Sequence, residues 1–555
     1  MIRCMISVFE TLISAAMPGG TAGQRPTAPL GRALSAPTRR PGAALLAVLV
    51  SLSAPAFAAP DAPALYRKHC AACHGADRLG GSGPALIPQT LGRMRGPKVE
   101  AVIRDGRPAT QMPAFHGRLS DAEIAALAAY VKTPLKEIPE WGAAEIMATR
   151  SLRPDYRPAE KPVFKGDPMN ITLVVETGDH HVSVLDGDSF EVLDRFPTPF
   201  AVHGGPKFTP DGRYVFIMSR DGWVQKYDIW SLQEVGRIRA GLNSRNIAIS
   251  HDGRHLAVAN YLPMTLTILS TDDLSVERVM PVVARDGTAS RVSAVYQAPS
   301  RRSFILALKD APEIWEVSTD PDAPPVYEGF VHSHEKGMME ALPSSQGLFA
   351  RRRILIDGPL DDFFFTPDYR FLIGAARQSE EGVVINLNVG REVARLPLGG
   401  MPHLGAGISW MRNGRRVMAT PHLKEGRISV IDTESWKVTD TVKTDGPGFF
   451  LRSHENSPWF WADVFFGPHR DEIHVIDKQT LKIVRTLRPV PGATFAHVEF
   501  TRDGRYALTS VWEDDGAVIV YDAKTLKEVK RLPMSKPSGK YNVWNKITFS
   551  EGTSH

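Results

Sequence analysis

Ile428-Ser429-Val430-Ile431-Asp432, Ile473-His474-Val475-Ile476-Asp477 and Val518-Ile519-Val520-Tyr521-Asp522 are one pattern written three times, with 45 residues between successive aspartates. Each is a β-branched run closed by Asp, the signature of a short strand entering a turn. The same pattern stands earlier at Val182-Ser183-Val184-Leu185-Asp186 and Val224-Gln225-Lys226-Tyr227-Asp228, with 42 residues between the two aspartates. A second element precedes it: Asp211-Gly212-Arg213, Asp252-Gly253-Arg254, Asn413-Gly414-Arg415 and Asp503-Gly504-Arg505, hairpin turns whose positive-φ positions suit Asn, Asp and Gly. A period of 40–45 residues built from short strands is that of a β-propeller blade. Counting inner strands places blade starts near Ile171, His203, Ser244, Arg291, Asp361, His403, Phe449 and His497, which makes eight blades. Pro321 to Arg351, with Pro324-Pro325, Met338-Met339 and the pair His332 and His334, breaks the period and reads as a loop inserted after blade four.

Upstream lies Cys70-Ala71-Ala72-Cys73-His74. Two thiols three residues apart and an adjoining imidazole are the attachment pattern of a covalent c-type haem, with His74 as the proximal iron ligand. Residues 59–135 read as a small all-α class I cytochrome c domain. Ala62 to His69 is a helix leading into the motif, and Gly80-Gly81-Ser82-Gly83-Pro84 is a turn-rich wrap. Ser120-Asp121-Ala122-Glu123 caps a final helix reaching about Lys132, with Ile124, Leu127, Ala128 and Val131 on its apolar face. Met112, in a Met-Pro loop, is the expected sixth iron ligand, and His116 is its rival. Residues 136–170 are proline-rich and read as a linker lying partly on the propeller, which spans 171–555.

The net charge of +5 does not describe a nucleic-acid-binding face, because residues 1–58 hold five arginines against one glutamate. That stretch reads as an export signal. Arg39-Arg40 precede an apolar run from Ala43 to Leu52, and Ala56-Phe57-Ala58 is a small-x-small cleavage site. Cleavage would remove Cys4 and leave only the two haem-bound cysteines, with no membrane span. Covalent haem attachment outside the cytoplasm makes the expected compartment the periplasm.

His203, His403 and His497 stand an even number of residues before Asp211, Asn413 and Asp503. Strand alternation then directs them to one face, the central channel. Blades two and six are opposite in a ring of eight, so His203 and His403 are expected to face each other across a flat ligand, with His497 approaching from the side. Arg220 and Arg245 lie at neighbouring strand ends, where guanidinium forks suit the carboxylates of a tetrapyrrole.

A cytochrome c joined to an eight-bladed propeller resembles the cytochrome cd1 nitrite reductase family, whose propeller binds haem d1. Ala201-Val202-His203 resembles the segment supplying that family's d1-iron ligand, Pro402-His403 the site of one of two distal histidines, and Gly539-Lys540-Tyr541-Asn542-Val543 the C-terminal segment. At the second distal position stands Leu360-Asp361-Asp362-Phe363-Phe364-Phe365, without histidine, and His497 has no expected counterpart in the reductase. With Gly204-Gly205-Pro206-Lys207-Phe208 and Gly446-Pro447-Gly448-Phe449-Phe450, the pattern is most similar to the reductase's dihydro-haem d1 dehydrogenase paralogues. The resemblance implies a non-covalent haem d1 or dihydro-haem d1, oxidation of a propionate to an acrylate, and electrons leaving through haem c. It implies His203 on the tetrapyrrole iron, His403 and His497 sharing the roles of base and distal contact, and Tyr541 positioning the reacting side chain or carrying a proton. Nitrite reductase and a small periplasmic electron acceptor are the implied partners. A haem d1 carrier and nitrite reductase itself are the alternative activities.

Overall fold

The computed structural model describes residues 59–549 apart from 81–82, 92–93, 95, 107–111, 200–201, 203, 329–343 and 377–378. The expected export signal, His203 and the pair His332 and His334 fall outside the described residues. Among the described residues the propeller comprises eight antiparallel sheets, seven of four strands and one of five. The strands run outward in chain order, as in Phe495–Phe500, Tyr506–Val511, Gly516–Asp522 and Glu528–Met534. The fifth strand of the larger sheet is Ser151–Leu152, which pairs with the outer strand Gln233–Arg239 of blade two. The stretch expected to be a linker therefore carries structure, including the helix Ala143–Ala148, whose Ile146 packs into the core between blades two and three.

The aspartates that end each repeat explain why the pattern recurs. Asp186, Asp228, Asp432, Asp477 and Asp522 close third strands, and one carboxylate oxygen of each accepts the backbone N–H groups two and three residues on. This pre-forms the turn into the outer strand, and the residue after the turn (Phe190, Leu232, Trp436, Leu481 or Leu526) takes a positive φ. Second and third strands are buried on both faces because neighbouring blades cover them, as in Trp461 and Tyr521 between blades seven and eight. Outer strands such as Lys437–Lys443 alternate between exposed and less exposed positions, only Val442 being buried.

The first blade departs from the expected count. The strand near Ile171, Thr172–Glu176, is second in its sheet, and the innermost strand is Pro537–Asn542 from the C-terminal end. Leu173 pairs with Tyr541 and Val174 with Lys540. The two ends of the propeller sequence thus close one ring.

In the cytochrome c domain, Ala62–His69, Gly96–Asp105 and Asp121–Tyr130 enclose a core containing Tyr66, Ile103, Phe115 and Leu127. Ser120 Oγ accepts the Glu123 N–H while Glu123 Oε2 accepts the Ser120 N–H, and Ile124, Leu127, Ala128 and Val131 are buried as expected. Leu79, Ala85 and Ile87 of this domain pack with Leu242 and Leu262 of blade three. Buried Arg239 donates from Nη2 to the Leu79 carbonyl at 2.5 Å. The cytochrome c domain therefore rests on the end of the propeller where inner strands begin. No helix among the described residues is long and apolar enough to cross a membrane.

Asp477 tests the turn chemistry. Backbone N–H groups hold its carboxyl below the usual range, so its contribution is present above the unfolded pKa and lost as pH falls through the depressed folded one. Asp477→Ala removes these acceptors and is expected to cost about 1–2 kcal/mol in chemical denaturation at pH 7. Asp477→Asn, which keeps one acceptor oxygen, loses less, and the difference between Asp477→Ala and the parent shrinks on acidification.

Candidate functional site

Two centres lie on either side of that contact. In the cytochrome c domain, buried His74 donates from Nδ1 to the Pro84 carbonyl at 2.7 Å, which leaves the Nε2 lone pair for iron. Burial lowers its pKa and keeps it in the neutral, ligating form. Cys70 and Cys73 are not joined to each other in a disulfide. A Cβ at Gly83 would lie 2.7 Å from His74 Cε1, so the wrap passes too close to the imidazole for any side chain. Met112 packs against the same apolar core as Cys70, whereas His116 is exposed and its Nδ1 is bonded to the Arg104 carbonyl at 3.1 Å. These residues fit a covalent haem c, which Cys70, Cys73, His74 and Met112 would hold.

In the propeller, blades six, seven, eight and one form an aromatic arc. The rings of His403 and Phe449 are 4.3 Å apart, Phe449 and Phe450 4.5 Å, Phe450 and His497 4.6 Å, and His497 and Tyr541 5.6 Å. The parity argument is not what assembles this arc. His403 precedes the 3-10 turn Leu404–Ala406 rather than opening a strand, and His497 is the extra residue of a bulge, with φ of 55°. Asp463 holds the arc together. One of its oxygens accepts the N–H groups of Phe449 at 2.7 Å and Phe450 at 2.9 Å, and the other accepts that of His497 at 3.2 Å. Burial pushes the Asp463 carboxyl up to about 6.

The two histidines present different atoms. His403 Nδ1 lies 2.6 Å from the Phe449 carbonyl, which can only accept, so Nδ1 carries the proton and Nε2 a lone pair. Nε2 is 4.0 Å from Asp362, whose charge favours an imidazolium although burial lowers the pKa overall. His497 Nδ1 accepts the Lys540 N–H at 3.4 Å, so the neutral ring keeps its proton on Nε2. Its pKa lies well below the usual value because it is buried and surrounded by Lys540, Arg452 and Lys546. Asp362 ties three blades together. It accepts from the Tyr296 hydroxyl at 2.9 Å, the Phe363 N–H at 2.9 Å and the Gly405 N–H at 3.1 Å.

The surroundings are cationic. Arg245 donates from Nε to the Ser293 carbonyl at 3.0 Å; burial opposes its charge, and Tyr261, Asp362, Tyr296 and Asp361 hold its pKa up. The Arg220 carbonyl accepts the Ser244 N–H one residue away, which places the two arginines on adjoining blade ends. Burial lowers Lys207 to about 8 and drives Lys540 and Lys546 well below the usual lysine value. Arg452 is paired with Glu499, both buried, with Nη2 to Oε2 at 2.5 Å. Burial also pushes the Tyr541 hydroxyl up to about 12. Its ring lies where a Cβ at Gly205, a positive-φ glycine, would come within 2.8 Å.

The sequence reading had named His403, His497, Tyr541, Arg220 and Arg245, and the structure brings the first three into one arc. It had not assigned roles to Asp362, Asp463 or Lys540. Asp362 was visible as a departure from the reductase pattern, while no period or motif marks Asp463.

Gly83→Ala is expected to displace His74 and lower the yield of six-coordinate haem c, read in the reduced absorption spectrum; an unchanged spectrum contradicts the cradle. Asp463→Asn replaces an acceptor oxygen with a donor facing backbone N–H groups. Because the Asp463 pKa is raised, its contribution to stability is complete below the unfolded pKa and is lost as pH rises through about 6. Denaturation curves of variant and parent should therefore differ most near pH 4 and converge towards pH 7.

Comparison with known proteins accounts for both centres. The cytochrome D1 heme domain model matches residues 166–328 and 322–546, and the model of cytochrome C oxidase, cbb3-type, subunit III matches residues 58–131. The chain is 52% identical over 512 residues to dihydro-heme d1 dehydrogenase of Pseudomonas aeruginosa, covering 92% of this chain and 99% of that protein. A solved structure of dihydro-heme d1 dehydrogenase NirN in complex with DHE superposes with a TM-score of 0.80 at 53% identity, covering 87% of this chain and 99% of that one. Nitrite reductase of Stutzerimonas stutzeri is 25% identical over 574 residues, 91% of this chain and 96% of that protein. A closed eight-bladed propeller with an attached c-type cytochrome, matched over nearly its whole length, leaves one assignment: the chain belongs to the cytochrome D1 heme domain family and, within it, to the dihydro-heme d1 dehydrogenases.

Proposed function

We propose that the arc from His403 to Tyr541 is where a dihydro-haem d1 side chain is dehydrogenated. The chain is an oxidoreductase of haem d1 assembly that converts a propionate of dihydro-haem d1 to an acrylate. Two C–H bonds break, one C=C bond forms, and two protons and two electrons leave. The observation that carries the assignment of roles is the opposed pair of imidazole tautomers. His403 offers a lone pair at Nε2, backed by Asp362, and is the proton acceptor. His497 offers an Nε2–H and donates a hydrogen bond to a substrate carboxylate or ring edge. Tyr541, protonated throughout the physiological range, positions the reacting side chain. Arg220 and Arg245 take other carboxylates of the tetrapyrrole, and His203 ligates its iron.

Cys70, Cys73, His74 and Met112 hold haem c, which supplies a one-electron outlet, so the two electrons leave in succession. The Arg239–Leu79 contact holds that outlet against the end of blade two's outer strand Gln233–Arg239, just ahead of the strand Asn243–Ile249 that carries Arg245. The compartment is the periplasm, and a small electron acceptor and nitrite reductase are the partners on the outgoing side.

His403→Gln keeps a polar side chain of similar length but removes the base, and is expected to lower kcat by about 10²-fold or more while substrate still binds. His497→Gln retains a donor and is expected to act more on KM. The reverse split sinks the division of roles. Binding without conversion in the parent protein supports a carrier instead, and nitrite turnover supports the reductase reading.

A further inference from the structure

Away from the tetrapyrrole arc, blade seven carries His469-Arg470-Asp471-Glu472-Ile473-His474, and the loop entering the same blade carries Asp445. His474 lies on the strand Ile473–Asp477 and is wholly buried. Glu472, two residues earlier, is also buried, and one donor atom each from Asp445, Glu472 and His474 lie within 4.8 Å of one another. His474 Nδ1 is 2.9 Å from the Thr486 hydroxyl. At Nε2, the Asp445 backbone N–H donates at 3.3 Å, so this nitrogen presents its lone pair and Nδ1–H donates to Thr486. That is the tautomer of a metal-bound histidine with its outer nitrogen anchored. An Asp445 carboxylate oxygen also lies 3.3 Å from Nε2.

We propose that Asp445, Glu472 and His474 bind a divalent transition-metal ion of the zinc class, which ties the loop into blade seven to the blade's third strand. Ligands about 2.0–2.1 Å from a tetrahedral zinc stand about 3.3 Å apart, the spacing seen between His474 Nε2 and Asp445. Buried Glu472 supplies the third ligand atom. His469, half exposed and bonded from Nδ1 to Glu472 at 3.0 Å, anchors that carboxylate. The consequence reaches the tetrapyrrole site along the chain, because Asp445 is four residues ahead of Phe449, whose carbonyl fixes the His403 tautomer. The ion is structural here: it holds the root of the loop that carries the aromatic arc.

The test uses the haem-loaded full chain, stripped with a chelator, dialysed and titrated with Zn2+ alone. About one zinc per chain beyond the haem iron is expected by elemental analysis, with a rise in melting temperature on zinc addition. Asp445→Ala, at an exposed loop position, and His474→Gln are each expected to weaken uptake by about tenfold or more and to abolish the melting shift. Glu472→Gln serves where His474→Gln fails to fold. No zinc uptake by the parent, or uptake undiminished in Asp445→Ala, overturns the proposal and leaves the cluster an ordinary ion pair.

Discussion

The pairing of Pro537–Asn542 with Thr172–Glu176 closes the ring on which both the fold and the site rest. A propeller has no second layer to hold its first and last blades together, so one blade built from both ends of the sequence must supply the closure. Here the closing strand also carries Lys540 and Tyr541. The Lys540 N–H sets the His497 tautomer and Tyr541 ends the aromatic arc. A register slip of one residue in this strand would turn Tyr541 away from His497 and break the ring's seam at once.

The rest of the arc is held by two buried acids rather than by strand geometry. Asp463 fastens blade seven to blade eight through three backbone N–H groups, and Asp362 fastens blades four, five and six through Tyr296, its own strand and Gly405. Asp463 sits beside Lys540 and Asp362 beside Arg245, and with Arg452, Lys546 and Lys207 nearby the arc calls for negative charge. A tetrapyrrole bearing several carboxylates supplies it, which is a physical reason for this pocket to select such a ligand over a neutral one.

Much of this architecture was legible in the sequence because its signals are local. An Asp that caps its own turn must recur wherever the turn recurs, so the blade period survives in Asp432, Asp477 and Asp522. The haem motif is likewise a short-range covalent requirement. What escaped were long-range facts. Ile171 looks like the start of an inner strand because nothing near it announces a partner some 370 residues away. Counting even offsets put His403 and His497 on one face by strand alternation, whereas a 3-10 turn and a bulge place them. Asp463 carries no motif at all, since its role is defined by loops of other strands.

The account makes the propeller the place of chemistry and haem c its outlet. The most direct test is an anaerobic single turnover with oxidised protein in large excess over dihydro-haem d1, following haem c reduction and acrylate formation together. The account predicts about two reduced haem c per acrylate formed, from the two-electron balance and a one-electron carrier. Acrylate formed while haem c stays oxidised would contradict it.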